Sequence, residues 1–317
     1  LEWDFAKHCP ERLKKQIFVT LNCVIENYAE RNSKRMRLLA LQYFYDFCVR
    51  NGVNDIETLE MAEIEKYQSG LKQKFTARKV PSVYDHIIGV ARKAVFINAE
   101  EIHWHANVWY LERFHIPERR RDPSKSLESI SFLEIANQEN RKYVQEYMKY
   151  ELGIAGQTLS TVTRRYRFIR NFLAGLDRDV RQCTLEDVES HIKKLQESKL
   201  MAKGFNERLS GIRHFFKYLE VKGHIEKMPF RAEYYFKKEQ PIHHDRSVEY
   251  EVYMEIMRKL PLFPEHLRCM FLHLWCIGLR ASEVCTLKGN AYYRQGEDAW
   301  IQVYQVKMKT YKRIPIP

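Results

Sequence analysis

The sequence is poor in residues that turn a chain, with only 12 glycines and 10 prolines in 317 residues. All-β folds need frequent turn signals, so this scarcity disfavours them and favours helices. No cysteine pair has C-x-x-C spacing, and the seven cysteines (9, 23, 48, 183, 269, 276 and 285) are odd in number. A disulfide framework or zinc ribbon is therefore disfavoured, and reduced thiols in a cytoplasmic protein fit better. No apolar run approaches the ~18 residues of a membrane span. The opening LEWDFAKHCPERLKKQ has no apolar core of a secretion signal. It also lacks an initiator methionine, so the expectation is an internal piece of a longer protein.

What is present is positive charge. Fifty-three lysines and arginines against 41 acidic residues give a net +12, with 45% hydrophobic and 13% aromatic residues to build a core. A polyanionic partner, nucleic acid or an anionic surface, is the first inference, set against charge that serves solubility alone.

Three segments emerge. Residues 1–117 hold helical patterns in RMRLLALQYFYDFCVRNG, DIETLEMAEIEKYQSGL (capped near Thr58) and VPSVYDHIIGVARKAVFI. Residues 118–129 are polar and proline-bearing and read as a basic linker, in which Arg119, Arg120 and Arg121 are placed to follow a phosphate backbone or simply to be solvated. Residues 130–228 repeat the pattern. STVTRRYRFIRNFLAGL has Val162, Tyr166, Ile169, Phe172 and Leu176 on one stripe, with Arg164, Arg165, Arg167 and Arg170 off it or at its border. TLEDVESHIKKLQES is a helix capped by Thr184, and FNERLSGIRHFFKYLEVKG turns Phe205, Leu209, Ile212, Phe216 and Leu219 inward. Thr58 aligns with Thr184 at an offset of 126 and Gly89 with Gly211 at 122, which reads as an internal duplication of one small helical domain. Residues 229–245 are a second linker. In 246–317, RSVEYEVYMEIMRKL is an amphipathic helix and EHLRCMFLHLWCIGL is expected to be a buried one, ended by Gly278. AWIQVYQV and RIPIP read as two strands around a cationic turn, the proline placing the second at an edge.

Arg280 follows a glycine and an apolar helix, so its guanidinium is expected to be fixed from behind, with Glu283 one turn on to orient it. A fixed guanidinium grips two phosphate oxygens, and a turn lysine beside it suits stabilisation of a pentacovalent phosphoryl transition state. A plain Arg280–Glu283 structural pair and a solvated lysine turn are the bland alternatives.

The stretch LWCIGLRASEVCTLKG, with Gly278, Leu279, Arg280, Ser282, Glu283, Val284 and Leu287, resembles the first-arginine box of the tyrosine recombinases and phage integrases, of the transposase-like kind found in mobile elements. KMKTYKRIPIP resembles their β-hairpin lysine and following strand. The two ends of residues 130–228 resemble the family's helical core-binding domain, and the likeness runs over roughly 130–317. It implies a mainly α chain: two tandem helical, SAM-like units, the first (1–117) a possible repeat of the core-binding fold (130–228). The N-terminal part of a mixed α+β catalytic domain with a β-hairpin follows (246–317). It also implies a clamp on double-stranded DNA and chemistry through a 3′-phosphotyrosine, with no metal or cofactor required. Arg280 matches the first catalytic arginine and Glu283 its support. Lys309 matches the catalytic lysine, with Lys307 the runner-up. The helices that face DNA in the family nominate Arg164, Arg165, Arg167 and Arg170, then Lys203, Arg208, Arg213 and Lys217. The family's His-x-x-Arg and nucleophilic tyrosine have no match before Pro317, and Tyr311 lies inside the turn. These 317 residues are thus expected to bind DNA without cleaving it. The full-length protein is expected to be an active recombinase that assembles as a tetramer on DNA.

Two other classes of protein account for parts of the sequence. A non-catalytic, sequence-specific accessory protein accounts for the missing nucleophile. A metal enzyme built on His103, His105, His243 and His244 is disfavoured, because neither HWH nor HHD has helical ligand spacing.

Overall fold

Apolar residues recur every three to four positions from Leu13 to Val24, and the chain there forms α1 (Glu11–Asn27) with Leu13, Ile17, Leu21 and Val24 buried. The computed structural model describes residues 2–76, 79–122, 126–240, 247–305 and 308–316. After α1 come α2 (Arg31–Arg50), α3 (Met61–Lys74) and α4 (Ser82–Asn98), whose shared core includes Phe44, Tyr67 and Ile87. The sequence places a cap at Thr58. The structure instead puts a 3-10 turn at Ile56–Thr58 and starts α3 at Met61, with Glu60 and Glu63 forming the capping box. The reason is local: the Asp55 carboxylate accepts from Glu57 N–H and closes the tighter turn first.

The second unit has the same order of parts: α5 (Gln138–Gly153), α6 (Leu159–Leu173), a 3-10 turn at Val180–Gln182, α7 (Leu185–Glu197) and α8 (Ala202–Val221). Thr184 caps α7 as its sequence requires. A buried amide marks the equivalence of the two units. Gln16 on α1 accepts from Ile56 N–H (2.9 Å), and Asn140 on α5 accepts from Val180 N–H (2.7 Å), each across 40 residues. Both members of the pair are displaced by the same 124 positions (140 − 16 and 180 − 56). Each amide holds the 3-10 turn that precedes the third helix of its unit.

Between the units, β1 (Val108–Tyr110) pairs antiparallel with β2 (Ser129–Ser131), in the register Val108↔Ser131 and Trp109↔Ile130, so the segment expected as a linker leads from one paired strand to the other and includes a 3-10 turn at Glu118–Arg120. Trp109, Phe114 and Ile116 lie in the same core as Phe132, Val162 and Phe216, so that core runs from Phe96 to Ala232.

The last segment has α9 (Tyr250–Lys259), α10 (Glu265–Trp275), α11 (Ala281–Cys285) and a sheet of β3 (Tyr292–Gln295), β4 (Asp298–Gln305) and β5 (Thr310–Ile316) in the order β3-β4-β5, antiparallel throughout. Pro315 stands opposite Trp300 in the edge strand β5, where a missing N–H breaks no ladder. The expectation of a buried helix at 265–279 is corrected. None of the α10 residues is buried: among the described residues the helix meets the 260–262 turn and α11, with Trp275 stacked on Tyr253 of α9 and His273 beside Tyr292 of β3, and these contacts leave its surface partly open. Mainly helical with a small sheet at its C-terminal end, the fold is of the class the sequence implied. No helix among the described residues is long and apolar enough to cross a membrane.

Gly89 and Gly211, paired by the sequence pattern at an offset of 122, respond oppositely to a methyl group. A Cβ at Gly211 would sit 3.0 Å from Phe168 Cδ2 and 3.3 Å from its Cβ, while one at Gly89 meets nothing within 4 Å. Gly211→Ala is expected to destabilise by about 1–2 kcal/mol, since overpacking outweighs the gain in helix propensity. Gly89→Ala is expected to stabilise by about 0.5–1 kcal/mol. Urea unfolding of the two variants checks both signs.

Candidate nucleic-acid interface

α10 stops at Trp275, and Gly278 takes φ +68°, a left-handed conformation that suits glycine. Leu279 N–H then donates to His273 O (3.2 Å), and its side chain enters a small core with Ala291, Ile301 and Val303. The backbone arriving at Arg280 is fixed by that reversal. Arg280 is the residue before α11, and Glu283 binds it twice. Glu283 Oε2 accepts from Arg280 N–H (2.9 Å), and Oε1 accepts from the guanidinium Nη1 (2.7 Å). The Glu283 side chain is 2% exposed and that of Arg280 57%. A buried carboxylate therefore grips one edge of a guanidinium whose remaining donors face outward. Burial pushes the Glu283 carboxyl up, but hydrogen bonds from Arg280, the arginine's charge and the Gln305 amide outweigh it and hold the pKa below the ordinary value. With a depressed pKa, the anchoring charge is complete at neutral pH and is lost only as pH falls through the lowered value.

Gln305 ends β4 and donates to Glu283 Oε1 (3.2 Å). The same residue closes the hairpin, its carbonyl accepting from Lys309 N–H (2.8 Å). Arg280, Glu283 and the tip of the β4–β5 turn are thus linked through one amide. Lys309 is exposed at φ +55°, an uncommon conformation for a non-glycine residue. Lys307 lies outside the described residues, as do His243 and His244. The sequence reading missed Gln305, although its signal was available: it follows Ile301 and Val303 on the inward face of an alternating strand, where an amide needs a partner.

A cleft of about 840 Å³ is lined by residues from 111–122 and 126–128, the start of α6, and residues from 285–288 with the β4–β5 hairpin. Arg119, Arg121, Ser160, Lys288, Tyr304 and Tyr311 line it together with the acidic Glu112, Glu118 and Glu128. Lys288 was not among the expected residues. Arg120 faces the other way. It is 7% exposed, and its guanidinium donates to the carbonyls of Leu152 (2.5 Å), Glu151 (2.8 Å) and Gln157 (2.8 Å). It satisfies the end of α5, which corrects its assignment to phosphate.

The cations of α6 and α8 divide into two groups. Arg165 reaches the buried Glu151, Arg170 pairs with Glu134 (2.8 Å), Arg213 with Glu233 (2.6 Å) and Lys217 with Glu220 (2.6 Å). Arg208 lies over the Phe168 ring (5.3 Å) and donates to Gly204 O. Arg164 is half exposed and only loosely paired with Glu207 (3.6 Å). Arg167 and Lys203 are exposed and make no ion pair among the described residues. Residues 1–117 hold 17 basic and 15 acidic side chains, so the positive excess belongs almost wholly to 118–317.

Residues 142–223 match the family described as phage integrase, N-terminal SAM-like domain. Transposase B from transposon Tn554 of Staphylococcus aureus, in strains Mu50 and N315, is 23% identical over 228 residues, which is 70% of this chain and 36% of the relative. Transposase B from transposon PsiTn554 of Staphylococcus aureus is 24% identical over 231 residues, with the same coverage. The chain therefore spans about a third of the length of the curated relatives it matches. No solved structure matches it significantly.

Proposed function

We propose that this chain, which belongs to the phage integrase and tyrosine recombinase family, is the DNA-gripping part of a transposase-like recombinase. The observation that supports this reading most is Arg280, half exposed on a buried carboxylate, in the same chain as a SAM-like helical unit. On this reading the outward donors of Arg280 take the scissile phosphate and Lys309 meets it from the hairpin, so that both stabilise charge as it develops. Arg164, Arg167 and Lys203 hold the flanking phosphates from α6 and α8, while Arg119, Arg121 and Lys288 line the cleft where the duplex enters the clamp. Contacts of that kind set register without reading sequence. The N-terminal unit extends the protein footprint as a second copy of the same helical plan. The whole recombinase cuts and rejoins DNA through a 3′-phosphotyrosine as a tetramer in the bacterial cytoplasm, and residues 1–317 alone bind without forming the covalent adduct.

Binding to duplexes bearing the ends of its own element, against scrambled duplexes across a salt series, tests the reading. A preference for the ends that survives added salt is the expected result. Arg167→Ala and Lys203→Ala should each reduce the slope of log affinity against log salt by about 1 on both duplexes. Arg120→Ala should lower stability and leave that slope unchanged. Equal collapse on both duplexes would overturn sequence-specific gripping and favour charge-driven binding alone. Specific binding with no cleavage by the full-length protein would favour the accessory reading.

A further inference from the structure

The HWH stretch, excluded by its spacing from any helical metal motif, lies beside two carboxylates from a turn about 50 residues earlier. Asp55 caps the 3-10 turn before α3 and Glu57 is its central residue, and ligand atoms of Asp55, Glu57 and His105 lie within 4.8 Å of one another. His103 Nδ1 contacts Glu57 Oε2 at 2.5 Å, and His105 Nε2 stands 3.6 Å from Asp55 Oδ2. The Glu57 side chain is 1% exposed, and its Oε1 has no hydrogen-bond partner among the described residues. A buried carboxylate oxygen without a partner is costly, and here it belongs to the cluster itself.

The cation present is Arg12. Its Nη2 lies 2.6 Å from Asp55 Oδ2, 3.0 Å from His105 Nε2 and 3.9 Å from Glu57 Oε2. A guanidinium only donates, so His105 Nε2 is the acceptor and its lone pair points into the cluster. Arg12 serves Asp55 well and Glu57 poorly, and its own side chain is half exposed. The second helical unit shows the alternative solution at the matching turn, displaced by 124 (179 − 55 and 181 − 57). There Asp179 pairs with Arg181 at 2.7 Å and the turn closes on itself. The first unit has Glu57 where the second has arginine, so two carboxylates and two imidazoles converge around the half-exposed Arg12 guanidinium.

We propose that Asp55, Glu57 and His105, with His103 holding Glu57, form a binding site for a divalent transition-metal ion of the zinc type. The donor set of imidazole and carboxylate suits Zn2+, and the contact from His103 to a ligand carboxylate is the outer support such sites use. The ion takes the place of Arg12, which swings into solvent. The site sits at the joint between the helical units: Glu57 O accepts from Asn107 N–H (2.9 Å), two residues after His105 and one before β1. Metal binding there staples the α3 turn of the first unit to the chain entering the core of the second. Its role is structural and independent of phosphoryl transfer.

Zn2+ titration of the 317-residue protein by calorimetry, with Co2+ absorption as a second probe, tests the site. One Zn2+ per chain is expected. His105→Ala and Asp55→Asn should each weaken binding at least 10-fold, and both replace partly exposed groups without emptying the core. Arg12→Ala should tighten it about 10-fold, because a competing cation is removed, which no purely ion-paired cluster would do. The proposal fails if neither wild type nor Arg12→Ala binds Zn2+ stoichiometrically. It also fails if His105→Ala and Asp55→Asn bind as the wild type does, since the ion would then sit on thiols or other imidazoles.

Discussion

Arg141→Ala is expected to lower the unfolding free energy by about 2–3 kcal/mol, the range for stranding buried hydrogen-bond acceptors, while the ion pair to the partly exposed Glu60 adds less. Arg141 is on α5, and its side chain is 6% exposed. Its two terminal nitrogens reach both oxygens of Glu60, the residue capping α3 of the other unit, at 2.6 and 2.8 Å. It also donates to Asn107 Oδ1 (2.7 Å) and to Ile135 O (2.8 and 3.1 Å). Asn107 in turn donates to the carbonyls of Thr58 and Leu59. Truncation therefore strands a buried amide oxygen, a carbonyl and a carboxylate at once. Arg141→Lys retains the charge but not the fork, and should fall between wild type and alanine. Urea unfolding, with limited proteolysis near residues 58–60, reads the result. A loss under about 1 kcal/mol would show that apolar contact alone joins the units and that the ion pair is incidental.

That contact also marks the limit of what the sequence reveals. Apolar periodicity located the helices, because each helix must bury a stripe whatever its partner is. It could not pair Glu60 with Arg141, which are 81 residues apart and look like an ordinary helix-start glutamate and a surface arginine. The likeness of the two helical units was legible through Thr58 and Gly89, yet neither pairing has the 124-residue offset that the buried amides share. The side chains that do, Gln16 and Asn140, differ in type and hide within helical patterns. Thr58 misled because its hydroxyl donates to Asp55 O at 3.4 Å instead of capping a helix. α10 misled for a different reason: hydrophobicity states a preference for burial, while burial itself depends on which elements lie alongside. Arg280 and Glu283 were legible because i, i+3 spacing at a helix start makes a capping contact almost obligatory. Gln305, which ties that pair to the hairpin, comes from a strand 22 residues later, and only the fold brings it there.

Arg280→Lys, made in a polypeptide that holds residues 1–317 together with the recombinase nucleophile, is expected to slow strand cleavage about 10²–10³-fold, the usual cost of one lost transition-state donor. The charge survives this substitution, so the loss isolates geometry. A lysine has a single rotatable ammonium. It cannot bind Glu283 Oε1 with one nitrogen and offer a planar edge to phosphate with the others. Arg280→Ala should be at least as severe. Glu283→Gln should cost less, about 10-fold, since the backbone N–H of Arg280 and the Gln305 amide still shape the pocket while the orienting charge is gone. Duplex binding by all three variants should stay within about 3-fold of wild type, because one phosphate contact among several contributes little to overall affinity. Single-turnover cleavage on a preformed complex separates the two quantities. Parallel loss of binding and cleavage would make Arg280 an ordinary backbone contact. Cleavage retained within 10-fold in Arg280→Lys would remove it from the chemistry and leave the Glu283 pair a structural cap on α11.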